Sequence, residues 1–348
     1  MYFRGDIPCK PHKEFGVHCS DCSHYKATQK RILIIKLGAL GDVIRTTPLV
    51  TRYKKMIPNA AITWLTLTPD ILPQEHIEEI LPFTLASITY LQEAHFDIAI
   101  NLDKEKEACA LLNRVQASEK YGYFLKDNKP APINALAEHK FNTGIFDDIS
   151  KKNTLDYCSE IFAICNMEYD NEPYLLNNYP ELSSSWTQID RSKKIIGLNT
   201  GCGGRWTTRL WPQEYFVDLA TQLLDDGYEV LLLGGEQEHE RNTDISFRSG
   251  AKYLGFFPLK TFINLVDQCH VVVTQVTMGM HIALGLGKGI VLMNNIFNPH
   301  EFNLFSKGEI VEPNKPCDCF YQGSCKNGKS CMYNLPVTKV YDSLKRII

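Results

Sequence analysis

The sequence predicts an α/β fold made of two parallel-sheet domains that face one another. Short apolar, β-branched runs alternate with stretches of helical periodicity in both halves of the 348-residue chain, the pattern of strands buried between helices. Two of these runs, at 32–36 and 193–201, each lead into a glycine-bearing turn and begin a new series of units. Between the two series lies 171–191, polar and proline-containing, with the composition of an interdomain connection.

The first series opens on 32–36, which has the length of a buried strand and stops at Gly38. Gly41 and Asp42 stand where strand gives way to helix, and Val43, Ile44, Thr47 and Leu49 begin a helical pattern that continues through Tyr53 and Met56. Turns of this kind lie at the carboxyl ends of parallel strands, where ligands bind, and the helix N-terminus there is electropositive. An acidic residue holds phosphate poorly, so Asp42 reads as a catalytic base or hydroxyl-binding group, with simple helix capping as the structural alternative. A second strand, 60–68, follows the turn at Pro58 and Asn59. Ile77, Ile80 and Leu81 have the spacing of a short helix, 88–91 is a brief apolar piece, and 96–103 is another strand. A helix is expected over 106–115, a long loop over the cleft at 121–150, and an amphipathic helix at 154–167.

The second series starts with the strand at 193–201 and a turn containing Gly201. Pro212 marks the first turn of a helix with Phe216, Leu219, Ala220 and Leu223 on one face, closed by Gly227. The strand at 228–235 ends in Gly234 and Gly235, and a charged stretch, 236–241, comes next. A short apolar stretch at 253–257, a helix at 259–269, a strand at 270–275, a helix opening at Thr277 and a strand at 289–295 complete the series. Val337, Val340, Tyr341 and Leu344 have the spacing of a last helix. The expected units are a cysteine and histidine extension at 1–29, a first domain at 30–180, a second at 181–315, and a cysteine-rich loop with a helix at 316–348.

A net charge of −3 gives no general attraction to nucleic acid or to an anionic membrane. No apolar run is long enough to cross a bilayer, and MYFRGDIPCK lacks the apolar core of a secretory signal, so the expected compartment is the cytoplasm. Of twelve cysteines, Cys109, Cys158, Cys165, Cys202 and Cys269 are scattered singly and read as interior thiols. Cys9, His12, Cys19 and Cys22 form C-x2-H-x6-C-x2-C, with a leader carrying incidental cysteines as the alternative. Cys317, Cys319, Cys325 and Cys331 form C-x-C-x5-C-x5-C in a polar loop. Thiolate-rich quartets at tight spacing favour structural zinc or iron, placed too far from the turns above to be catalytic.

Four blocks in order, IKLGALGDVIRTTPL, GxxxRWTTRLWPxEYF, LLLGGExEHE and TMGMHIALGLGK, resemble the heptosyltransferase-type glycosyltransferases of family 9. The likeness covers roughly residues 31–300. It implies the GT-B fold of two facing Rossmann-like domains, the first toward the acceptor and the second binding the donor. It also implies inverting transfer from a nucleotide-diphosphate sugar, typically ADP-heptose, to a hydroxyl without a catalytic metal. Asp42 then stands at the family's position for the base that takes the acceptor proton. Arg209 stands where the family places a cation for the departing diphosphate, and Thr207 and Thr208 would add hydroxyl donors. Thr277, Met278 and Gly279 open the helix whose N–H groups face the second phosphate. Glu236 matches the acidic residue on the nucleotide side, and His281 the family's histidine in the phosphate-side helix. Gly38, Gly41, Gly201, Gly234 and Gly235 make the glycine turns. Glu238, Glu240 and Arg241 read as solvated charges.

Val276-Thr277-Met278 stands where many members carry Asp-Ser/Thr-Gly, so a carboxylate that would meet the donor sugar is missing. Either the sugar is held differently, or Gln275, Asn294 or Asn295 substitutes. The C-terminal cysteines resemble the iron-binding insert of autotransporter heptosyltransferases in the same family, and a last helix returning onto the first domain would bring the two cysteine sets together. The expected activity is transfer of heptose or a related sugar to a cell-envelope glycan or protein acceptor, with no nucleic-acid partner. Transient contact with the inner membrane face and homo-oligomer formation are compatible with it. The competing readings are a sugar-nucleotide epimerase of the same fold and a catalytically silent, metal-stapled scaffold or sensor.

Overall fold

The computed structural model describes residues 8–25, 27–204, 206–315, 317–326 and 328–348. The start of MYFRGDIPCK, on which the signal-peptide reading rested, lies outside the described residues. The first sheet is built from β1 (Lys30–Ile35), β2 (Ala60–Thr66), β3 (Glu79–Pro82), β4 (His95–Asn101), β5 (Gln116–Lys126) and β6 (Lys129–Pro132). Their order is β3-β2-β1-β4-β5-β6, parallel throughout except for the antiparallel β5–β6 hairpin. The second sheet holds β7 (Ile195–Asn199), β8 (Glu229–Leu233), β9 (Val271–Gln275), β10 (Gly289–Met293) and β11 (Gly308–Val311) in the order β11-β10-β9-β7-β8, all parallel. β7, β8 and β9 are buried at every residue, as strands covered on both faces must be. This is the α/β, GT-B arrangement expected.

Several elements differ from the sequence reading. Ile80 and Leu81 lie in the edge strand β3, not in a helix. The 88–91 piece belongs to the helix Leu85–Glu93, capped by Thr84, whose side chain accepts from Ser87 N. The span expected as a cleft loop carries most of β5, then β6 and the helices Ala135–Thr143 and Asp147–Lys152. Its hairpin turns at Asp127 and Asn128, both at positive φ (49° and 62°), which these two residue types tolerate. The charged stretch after Gly235 runs into the helix His239–Ser249, which buries only Asn242 and Ile245.

The segment 171–191 is packed rather than loose. Glu172, Tyr174, Trp186 and Ile189 are buried, Trp186 Nε1 donates to Asn264 Oδ1 (2.7 Å), and Arg52 Nε donates to Glu172 Oε1 (2.6 Å). The last helix, Val337–Ile347, does not return to the first domain. Val340 and Leu344 join the core of the second sheet with Val291 and Val271, and Lys194 Nζ donates to Ile348 O. Among the described residues no helix is long and apolar enough to cross a membrane.

Candidate active site

Two cavities meet between the sheets. The larger, about 820 Å3, opens at the carboxyl ends of β7, β8 and β9, opposite the turn after β1; the second, about 610 Å3, lies over the first domain. Ala39, Asp42, Arg45, Glu301 and Tyr321 line both and form the passage between them. A parallel sheet leaves its ligand crevice on this side, so the topology explains why turns distant in sequence share one cleft.

Asp42 sits in the first turn of the helix Leu40–Thr46, half-buried. Arg45, one turn on, reaches its Oδ1 with Nε (2.9 Å) and Nη2 (2.8 Å), and Lys36 Nζ lies 4.0 Å from Oδ2. Burial raises the carboxyl pKa, but Arg45 first and Lys36 next outweigh it and bring it down to about 2. Asp42 is therefore a carboxylate at neutral pH. Lys36 is itself buried, donating to Asp103 and, at 2.5 Å, to Gly38 O. Arg45 also donates through Nη1 to Glu301 Oε1 (2.8 Å), and its guanidinium lies 3.5 Å from the centre of the Tyr157 ring. Glu301 accepts a further bond from Tyr321 Oη at 2.6 Å. Burial raises the Glu301 carboxyl pKa, yet Arg45 and then Lys140 carry it below the usual range.

Arg209 enters from the second domain, 9% exposed, in the 3-10 turn Thr207–Arg209. Its guanidinium donates to the carbonyls of Val276, Cys202 (2.7 Å) and Trp206 (3.3 Å), and no carboxylate pairs with it among the described residues. Burial pulls its pKa down, as expected for a cation without a counter-charge.

The glycines of this side make room for close neighbours. A Cβ on Gly201 would come 2.1 Å from Glu238 Oε1, and one on Gly234 would come 2.8 Å from Glu238 Cβ. Glu238 accepts the Gly235 N–H at 2.9 Å and lines the cleft, which corrects its reading as a solvated charge. Arg241 is likewise partly buried, donating to Trp211 O at 2.7 Å. Gly41 faces His281 of the helix Met278–Gly285, and a Cβ there would lie 2.4 Å from the ring. Burial, and then the Arg45 charge, lower the His281 pKa to about 3.

Gly41, Asp42, Gly201, Arg209, Gly234, Gly235, Glu236, Thr277, Met278, Gly279 and His281 all line the larger cavity, with Glu236 on its exposed rim; Gly38 lines the second. Thr207 and Thr208 line neither. The Thr208 hydroxyl is donated to Gln322 O (3.0 Å) and so is not free for the expected phosphate-facing role, while Thr207 is exposed outside both cavities. Gln275, Asn294 and Asn295 line neither cavity: the first two are fully buried, and Asn295 Nδ2 donates to Thr208 O (2.9 Å). The second-domain carboxylate that lines both cavities is Glu301, whose two oxygens accept from Arg45 and Tyr321. Arg45 was within reach of sequence reasoning as an i+3 partner of Asp42; Glu301 and Tyr321 carried no local signal.

Among the described residues, no group of three or more His, Cys, Asp or Glu side chains is arranged to hold an ion, and every cysteine is free of disulfide. Cys9, His12, Cys19 and Cys22 are thus not gathered into the expected quartet among the described residues, although His12 Nδ1, 2.9 Å from Val17 O, leaves its Nε2 free of that contact. The C-terminal set is closer to one. Cys319 and Cys325 sulfurs are 3.8 Å apart, roughly the separation (~3.8 Å) of two thiolates on a tetrahedral zinc. Cys317, Cys319 and Cys331 sulfurs accept N–H bonds from Cys319 N, Lys326 N (both 3.4 Å) and Asn295 Nδ2 (3.3 Å), the donors that stabilise a thiolate.

Lipopolysaccharide heptosyltransferase 1 of Escherichia coli K12 is 20% identical over 309 residues, 81% of this chain and 92% of that one. Lipopolysaccharide heptosyltransferase 2 of the same strain is 28% identical over 96 residues, and there the match spans only 28% of the relative's length. Among solved structures, a family 9 glycosyl transferase from Veillonella parvula superposes with a TM-score of 0.71 at 17% identity, covering 92% of this chain and 97% of that one. The E. coli ADP-heptose lps heptosyltransferase II gives 0.66 at 16% identity, covering 91% and 98%. The iron-containing dodecameric glycosyltransferase TibC from enterotoxigenic E. coli gives 0.57 at 12% identity, covering 92% and 78%. The sequence profile of glycosyltransferase family 9 (heptosyltransferase) matches residues 85–309, well over half of the length, and the chain belongs to that family.

Proposed function

We propose that this protein is an inverting glycosyltransferase that moves a heptose or related sugar from a nucleotide diphosphate, ADP, to a hydroxyl of a cell-envelope glycan or protein. The observation that carries the reading is the pairing across one cleft of Asp42, an ionised carboxylate, with Arg209, a buried cation lacking a carboxylate partner. The larger cavity takes the donor, its diphosphate meeting Arg209 and the N–H groups at Thr277 to Gly279. The second cavity takes the acceptor, whose hydroxyl reaches Asp42 through the passage. As the acceptor oxygen bonds to the anomeric carbon, the bond from that carbon to the diphosphate breaks, and the acceptor proton passes to Asp42. A carboxylate with a pKa near 2 is a weak base, but the hydroxyl acidifies as its oxygen gives up electron density, so the proton leaves late in the step. The names of the relatives, ADP-heptose and lipopolysaccharide among them, support the choice of donor and acceptor class.

The four C-terminal cysteines fit a structural zinc or iron by the chemistry of their donor set, and the ion would hold their loop closed. Elemental analysis of the purified chain at about one ion per molecule is the expected result. The transferase reading is tested by nucleotide release from a panel of ADP-, GDP- and UDP-sugars with candidate acceptors. Turnover with an ADP-sugar, falling roughly a thousandfold in Asp42→Asn, is expected; undiminished turnover in that variant removes Asp42 from the mechanism.

A further inference from the structure

The cysteine loop follows the donor blocks in sequence, yet in space it forms part of the cleft wall. Phe320 packs under Lys151 Nζ of the first domain, 4.8 Å from ring centre to nitrogen. Tyr321 N donates to Ile296 O (3.0 Å), and its ring meets Phe297 edge-on at 4.9 Å. Gln322 O accepts the hydroxyl of Thr208, and Ser330 Oγ donates to the Thr208 carbonyl (2.6 Å), one residue before Arg209. Tyr321 is also a non-glycine residue at φ 49°, a conformation bulky side chains rarely adopt and keep only where the surroundings hold it. What this conformation delivers is the phenolic O–H onto Glu301 Oε2; Glu301 Oε1 accepts from Arg45, and Arg45 grips Asp42 with its two remaining nitrogens.

We infer that Tyr321 is a positioning residue for the transfer step, acting through Glu301 and Arg45 to fix the direction in which the Asp42 carboxylate meets the acceptor hydroxyl. The inference rests on the transferase reading above. Without the phenolic donor the Glu301 carboxylate is held on one side only and can rotate, Arg45 follows it, and the Asp42 oxygen loses its fixed aim. Small misplacements of a reacting group cost rate steeply. The phenol is neutral, so its removal leaves the charge of the cleft unchanged. Tyr321→Phe keeps the ring that packs on Phe297, over which the Arg209 guanidinium lies at 5.4 Å, so the donor side keeps its packing and donor affinity is expected to hold. The loss therefore falls on kcat and not on the donor KM.

The test uses the full chain, ADP-heptose as donor and the acceptor on which the wild type turns over. Tyr321→Phe is expected to lower kcat roughly tenfold or more, with the donor KM and calorimetric ADP affinity within about twofold of wild type and an unchanged melting temperature. Glu301→Gln should lose a similar factor, and the double variant no more than the larger single loss, because the two act in series. A folded Tyr321→Phe with kcat within about twofold of wild type, a parallel loss of ADP affinity, or multiplicative losses in the double variant each overturns the inference while leaving the transferase reading intact. Absence of wild-type turnover on every nucleotide sugar overturns that reading, and this inference with it.

Discussion

Two arginines, Arg209 buried and Arg45 half-buried, face the same cleft in opposite electrostatic states. Arg45 is held between Asp42 and Glu301, and although burial works against its charge, the two carboxylates raise its pKa well above the ordinary value. Among the described residues Arg209 has carbonyl oxygens and the Phe297 ring as partners but no carboxylate, and burial leaves its pKa lowered. An ion pair of the first kind is an internal fixture: its charges are balanced and it binds no further anion. A buried cation of the second kind is costly to fold around, and that cost is recovered only when an anionic ligand arrives. Under the function proposed above, the contrast separates the residue that orients the site from the one that meets the donor, and four perturbations sharpen or break it.

The largest effect is expected from Arg45→Met. It leaves Glu301 without its cation and the half-buried Asp42 with only the more distant Lys36, so up to about 3 kcal/mol of stability should be lost in denaturant titrations at neutral pH. Arg209→Met should do the reverse, lowering kcat/KM roughly 100- to 1,000-fold while leaving the melting temperature unchanged or higher. If the two variants destabilise equally, Arg209 is structural and the contrast fails. His281 comes next. Its folded pKa is about 3 against roughly 6.5 in the unfolded chain, so between those values the unfolded chain binds a proton that the folded one does not. Stability should therefore decline as pH falls below about 6.5, and His281→Gln should remove about 2 kcal/mol of the difference measured between pH 7 and pH 4.5. The smallest effect is Gly41→Ala, whose methyl overlaps the His281 ring. It should cost about 1–3 kcal/mol, largely relieved when His281→Ala is added.

The parts of the fold that the sequence revealed are those covered on both faces. β1, β7 and β9 are nearly unbroken apolar runs because helices lie above and below them. β3, β6 and β11 are edge strands, and QASEKYGYFLK in β5 is largely polar, so periodicity alone did not mark them. His239–Ser249 hid for the opposite reason: a helix with two buried residues looks like a solvated charge run. In the site, Asp42, Arg209 and the glycines were visible because each sits in a turn whose local sequence is constrained by backbone approach. Glu238 was misread because its side chain lies over two glycines, its carboxylate at Gly201 and its stem at Gly234, more than thirty positions apart from each other. Glu301 and Tyr321 reach Arg45 only through tertiary folding, across 256 positions in the case of Glu301.

Where Gly41 abuts His281, the two lobes touch with no side chain on one of the two surfaces. A contact that tight leaves no room for a side chain on the first surface, so the helix Leu40–Thr46 and the helix Met278–Gly285 meet at a separation set by backbone against ring. Asp42, the neighbour of Gly41, therefore takes its distance from the opposite wall of the crevice from a backbone contact and not from a flexible side chain.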